Sequence, residues 1–159
     1  IAIAIGVFLF TRKDRPSPTP PESPWAEGAT DEDHFPPAPP LPGEQLMASY
    51  ADPFTDPLED LKALDRVMSG FFSVVKEEEG FSIGGNEDLA AALRGENAYR
   101  QAFLPPDHRV FGSKGRLLDR WGTPLFVHPV AARRIELRAA GPDKTMFTDD
   151  DVLLEKPEP

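Results

Sequence analysis

The residues of this chain whose type and spacing suit chemistry lie near its C-terminal end. Asp143, Asp149, Asp150 and Asp151 flank a short loop from Lys144 to Thr148. A hard cation such as calcium takes about six to eight oxygens from carboxylates and backbone carbonyls, and a loop of this kind supplies both. An EF-hand is excluded, because its ligand spacing and its central glycine are absent. The competing reading is a solvated turn whose carboxylates are neutralised by Lys144 or Arg138.

Elsewhere the chemistry is sparse. His34, His108 and His128 are the three histidines, and none has a second imidazole at a metal-ligand spacing. The chain has no cysteine, which removes disulfides, thiol catalysis and cysteine-based zinc sites. No Gly-x-Ser-x-Gly, His-Glu-x-x-His or phosphate-loop motif occurs. Asp107 and His108 with a distant serine make a hydrolytic triad the remotest functional reading. A binding reading stands above it. Arg116, Arg120, Arg133, Arg134 and Arg138, with Trp121 and Tyr99, form a basic region suited to an anionic polymer or peptide, unless those arginines balance an acidic helix instead.

The elements that must position these groups can be read from periodicity. Leu125, Val127, Ile135, Leu137 and Ala139 alternate with Phe126, His128, Arg134, Glu136 and Arg138, the period of two of half-buried antiparallel strands. Trp121 precedes a Gly-Thr-Pro turn and is expected to bury its ring. Gly141-Pro142-Asp143 carries turn chemistry, and a third short strand is expected from Val152 to Leu154. Upstream, Asp56 and Pro57 start a helix, with Glu59 placed to reach back as a capping box. Leu58, Leu61, Leu64, Met68, Phe71 and Val75 make one apolar stripe, and Gly80 is expected to end the helix after about 23 residues, roughly 35 Å. Asn86 is expected to cap a second helix ending at Leu93 before Gly95, with Ala98 to Phe103 adding another turn. Val110–Phe111 and Arg116–Leu118 suit a small hairpin around Gly112-Ser113-Lys114-Gly115. The fold class is therefore α+β, one long amphipathic helix on a small antiparallel sheet.

Asp119-Arg120-Trp121-Gly122-Thr123-Pro124, the strand pair, Ala140-Gly141-Pro142-Asp143 and Asp149-Asp150-Asp151-Val152 occur in an order that resembles the C-terminal domain of the major pseudopilin of type II secretion systems. The resemblance covers roughly Asp52 to Glu155. It implies a pseudopilin-like domain, protein partners in a bacterial envelope assembly, and no catalysis. It also implies calcium in the loop, with Asp143 matching the aspartate of the family's Gly-x-Asp-Gly and Asp149 and Asp151 matching its closing pair. Lys144 departs from the family's glycine. The family's membrane helix runs straight into the helix of its domain and carries a glutamate near its start; here Ile1 to Phe10 has no acidic residue and prolines intervene.

The composition accounts for that departure. Among 159 residues there are 19 prolines, ten of them between Pro16 and Pro42, where no apolar period survives. Such a stretch is expected to be an extended tether, with Pro36-Pro37-Ala38-Pro39-Pro40 a candidate ligand for an aromatic groove. Ile1 to Phe10 is apolar throughout and is closed by Arg12, Lys13 and Arg15. Ten residues fall short of the ~20 that cross a bilayer, so the run is expected to be the distal half of a membrane helix, or else the apolar core of a signal peptide. The expected organisation is a partial membrane helix at 1–10, a linker at 11–45, a globular domain at 46–155 and a tail at 156–159. The expected location is the inner membrane, single pass, with the domain in the periplasm. The net charge of −10 argues against nucleic acid, although Arg94 to Arg138 holds nine basic residues against four acidic ones.

Overall fold

The computed structural model describes residues 39–75, 82–131 and 133–154. The elements are α1 (Pro57–Val74), α2 (Asn86–Leu93), β1 (Phe126–Ala131), β2 (Arg134–Ala139) and β3 (Val152–Leu153). The strands are antiparallel in the order β1-β2-β3, so the described domain is α+β, as the periodicity predicts. The apolar run Ile1–Phe10, nearly all of the proline-rich stretch with Trp25, His34 and Phe35, and the tail lie outside the described residues. Among the described residues no helix is long and apolar enough to cross a membrane.

The period of two survives intact. Leu125, Val127, Ile135, Leu137 and Ala139 are buried, and β1 pairs Phe126 with Arg138 and His128 with Glu136 on the other face. The register shifts between Pro129 and Ala131, because a proline has no N–H for the ladder. Phe111 and Leu117 bridge antiparallel, as do Leu118 and Pro124, so the expected hairpin is present and leads into β1.

α1 lies against β2 and β3, and α2 against β1. Leu61, Leu64, Met68, Phe71 and Val75 of the predicted stripe are buried, whereas Leu58 is only half-buried. Each fully buried side chain of this size contributes about 1.5 to 3 kcal/mol. Asp56 caps the helix through Leu58 N at 2.8 Å, with Pro57 at its first position. The capping box is not completed by Glu59, whose carboxylate turns forward to Lys62 Nζ at 2.8 Å. The helix is also shorter than expected, 18 residues ending at Val74 with extended Val75 as its cap. Two adjacent β-branched valines close the helix, and no basic residue sits in its last turn to favour the dipole there. Gly80 lies outside the described residues.

Three further expectations are corrected. Asn86 does not cap α2; Gly85 stands at that position, and Asn86 is the first helical residue with a buried side chain. Ala98 to Phe103 forms bends and turns, not helix, with Arg100 at φ 51. Trp121 is half-buried against the core, so its ring is not the central plug that its size suggests.

The core also takes in the segment before α1, and buried Gly43 carries the domain a few residues upstream of the expected start at Leu46. Met47 and Tyr50 are 1% exposed, and Gly43 N donates to Phe103 O at 2.9 Å. A Cβ on Gly43 would stand 2.8 Å from that same oxygen, which explains the glycine. Met47→Ala is expected to cost about 2 to 5 kcal/mol in urea unfolding. A cost under about 0.5 kcal/mol, the range of surface substitutions, would show that this segment is not part of the core.

Candidate functional site

The Asp119–Pro124 turn is fixed by two side chains with opposite tasks. Asp119, buried, accepts from Thr123 N at 2.8 Å, Trp121 N at 3.0 Å and Ala140 N at 3.1 Å, tying the turn to the end of β2. Burial pushes its carboxyl above the ordinary aspartate value, and those three amides pull it back. Arg120 points the other way. Its Nε donates to Asp60 Oδ2 at 2.9 Å, with side-chain exposures of only 11% and 6% for the pair. Asp60 Oδ1 also accepts Ala51 N, and Tyr50 Oη donates to Leu118 O at 2.6 Å beside this pair. Burial, then the nearby Asp60 and Asp119 carboxylates, raise the Tyr50 phenol well above its ordinary value. It is a hydrogen-bonded strut at neutral pH.

The acidic loop is ordered by its own hydrogen bonds. Asp143 Oδ1 accepts Thr145 N at 2.7 Å, and Asp150 Oδ2 accepts Asp143 N at 3.1 Å. Asp151 Oδ2 accepts Phe147 N at 2.7 Å and the Arg138 guanidinium at 3.1 Å. The Thr148 hydroxyl lies 2.8 Å from Asp150 Oδ1 and 3.4 Å from Asp151 Oδ1. Asp150, not Asp149, thus bonds within the loop beside Asp143 and Asp151, although both Asp149 and Asp150 are exposed. Among the described residues no group of three or more histidine, cysteine or carboxylate side chains could hold a metal ion. For Asp151, burial works upward but the Arg138 hydrogen bond and the Phe147 amide outweigh it, and its carboxyl lies below the ordinary value. Asp150 is lowered first by the Thr148 hydroxyl and then by the Asp143 amide. Lys144 and Phe147 adopt φ 59 and φ 69, a region that β-carbons disfavour. Lys144 therefore holds a left-handed turn position, one that glycine would take without strain.

The five arginines of the binding reading are unevenly engaged. Arg120 is bound to Asp60, Arg138 to Asp151, and Arg116 Nε approaches Glu87 at 3.4 Å. Arg133 is exposed and Arg134 half-buried. Over the outer sheet face, His128 stacks on Phe126 with centroids 5.8 Å apart, Phe147 meets Phe126 edge-on at 5.2 Å, and Arg138 covers Phe147.

His108 is a structural histidine. Its Nδ1 accepts Val110 N at 3.2 Å, and its ring lies 6.0 Å from that of Tyr50. A ring that accepts at Nδ1 must be neutral there, and no nucleophile is hydrogen-bonded to it among the described residues. Sequence reasoning missed Asp60, and it read Asn86 as a cap where the side chain instead bonds Leu117 and Leu125. Asp60 sits one residue before Leu61 and four before Leu64, so a carboxylate inside the apolar stripe was its available signal.

No family model matches the chain, and no curated protein or solved structure does so either.

Burial, with Arg109 adding to it against a Met47 backbone bond, lowers the His108 pKa below the ordinary value. The folded state then binds fewer protons than the unfolded one. The stability it contributes is complete above about pH 6.5 and is lost as pH falls through the lowered value. Urea midpoints are expected to fall between about pH 7.5 and pH 5, with a shallower fall in His108→Gln. Equal slopes in the two proteins would remove His108 from this role.

Proposed function

We propose that this chain is a non-enzymatic, membrane-tethered module with a pseudopilin-like domain that acts through protein contacts in a bacterial envelope assembly. Phe54 carries the reading. Its side chain is 96% exposed, yet its backbone is fixed. Phe54 N donates to Asp52 Oδ1 at 2.8 Å, and Arg120 donates to Thr55 O at 2.8 Å just beyond it. A phenyl ring held in water on an ordered loop adds nothing to the fold, and it enters a partner's apolar pocket with little further ordering to lose. The order of helix, antiparallel sheet, acidic loop and closing strand supports the pseudopilin resemblance. In this reading Ile1–Phe10 anchors the chain in the inner membrane, the proline-rich stretch is the tether, and the domain stands in the periplasm. The anionic-polymer reading ranks below it, because Arg120 and Arg138 already face nearly buried carboxylates.

A photo-crosslinking residue at position 54 of the full chain, expressed in bacterial cells, is expected to capture secretion or pilus-assembly proteins, whereas one at exposed Glu96 is not. Capture from neither position, together with retention on anionic polysaccharide at low salt, would replace this reading with the binding one.

Calcium at Asp143, Asp149 and Asp151 belongs to the same proposal. The carboxylates as arranged offer no ready cage, since Arg138 occupies Asp151. Binding therefore requires the loop to repack, and the expected affinity is weak. Millimolar calcium is expected to raise the melting temperature more than magnesium does, by the stabilisation RT ln(1 + [L]/Kd), and Asp151→Asn is expected to abolish the gain. Identical melting in calcium and in chelator would leave the loop as a turn neutralised by Arg138.

A further inference from the structure

The Gly112–Gly115 turn gathers positive charge beside an apolar floor. The turn closes through Gly115 N to Gly112 O at 3.0 Å and Gly112 N to Arg116 O at 2.7 Å. Among the described residues no backbone acceptor takes the N–H groups of Ser113 and Lys114, both on exposed residues. Lys114 is exposed, and the Arg94 guanidinium packs so close to the turn that a Cβ on Gly115 would stand 3.5 Å from it. The glutamates facing Arg94 and Arg116 are Glu96 at 3.7 Å and Glu87 at 3.4 Å, both with exposed side chains. Such loose pairs contribute little; Arg94 packs over the Phe111 ring, whereas Arg116, whose side chain is 37% exposed, stays available to another anion.

The floor is equally specific. A cleft of about 240 Å³ lies between this turn and the Gly122–Pro124 segment, with Leu118 and Pro124 among its lining residues. A Cβ on Gly112 would stand 2.9 Å from the Leu118 side chain, so the turn rests directly on that floor and a larger residue there would push Leu118 aside. The cleft is large enough for one aliphatic side chain and too small for most drug-sized ligands. Charge and unpaired amides at one end, with apolar surface at the other, match a carboxylate attached to an aliphatic group.

We propose that this cleft binds the free C-terminal carboxylate of a peptide ending in an aliphatic residue. The carboxylate takes the Ser113 and Lys114 amides and the Lys114 and Arg116 side chains, and the terminal side chain lies on Leu118 and Pro124. This site stands apart from Phe54 and does not depend on the assembly reading.

The test is an amide NMR titration of the full chain with acetyl-Ala-Leu, acetyl-Ala-Leu-amide, N-acetylleucine and inorganic phosphate. Acetyl-Ala-Leu is expected to shift the Ser113, Lys114 and Gly122 amides saturably, with the amide form at least about tenfold weaker for want of the charge. Lys114→Glu, an exposed change expected to leave the melting temperature unaltered, is expected to weaken binding by a similar factor. N-acetylleucine matching the peptide would overturn the peptide assignment in favour of a free aliphatic acid. Phosphate matching it would reduce the site to a simple anion patch. Absence of saturable shifts, or shifts that Lys114→Glu leaves unchanged, would remove the site altogether.

Discussion

The described domain depends on one desolvated ion pair, Asp60 with Arg120. A buried pair of this kind is a weak source of net stability, because two ions leave water to form it. It is strong as a constraint, since either partner alone would be an uncompensated buried charge, costing about 3 to 5 kcal/mol. Asp60 lies in the first turn of α1, and Arg120 lies in the turn that leads to β1. The pair therefore sets where the helix sits relative to the sheet. Arg120 also uses its remaining donors on Thr55 O, Thr55 Oγ1 and Asp56 O, so the loop carrying Phe54 is fixed by the same guanidinium.

Asn86 performs the corresponding task for α2. Its amide donates to Leu117 O at 2.9 Å and Leu125 O at 2.6 Å, and its oxygen accepts Leu117 N at 2.6 Å. Those backbone groups belong to segments joined only by isolated bridges, where a continuous ladder would otherwise satisfy them. Asp119 repeats the device with three amides, one of them Ala140 at the far end of β2. Two short polar side chains thus supply hydrogen bonding that a three-stranded sheet with a two-residue third strand lacks.

This division explains which features the sequence revealed. Strands β1 and β2 were legible because a single face is buried and the side-chain period is two, so Leu125 through Ala139 could alternate in only one register. The start of α1 was legible from Asp56 and Pro57, whereas its end falls at the two adjacent valines, which offer no stop signal of the kind that Gly80 offers. Asn86 was visible as a helix-start residue but not as a buried staple, because its partners lie 31 and 39 residues away. At the acidic loop the sequence supplied four aspartates without saying which would converge. The Asx-type bonds within the loop and the Arg138 partner made that choice, and they selected Asp150 over Asp149.

The basic residues between Arg94 and Arg138 also separate into two populations. Arg120 and Arg138 face carboxylates that are 6% and 4% exposed, so their charges are consumed where the local dielectric is low. Arg94 and Arg116 face exposed glutamates across longer gaps, where solvent screens the attraction. A net charge of −10 would ordinarily repel anions, but at physiological ionic strength a charge is felt over only about 8 Å. Within that distance of the Gly112–Gly115 turn, the local sign matters more than the total. Anion affinity in this chain must therefore come from the few cations that the fold has left in water, not from the larger number that its sequence contains.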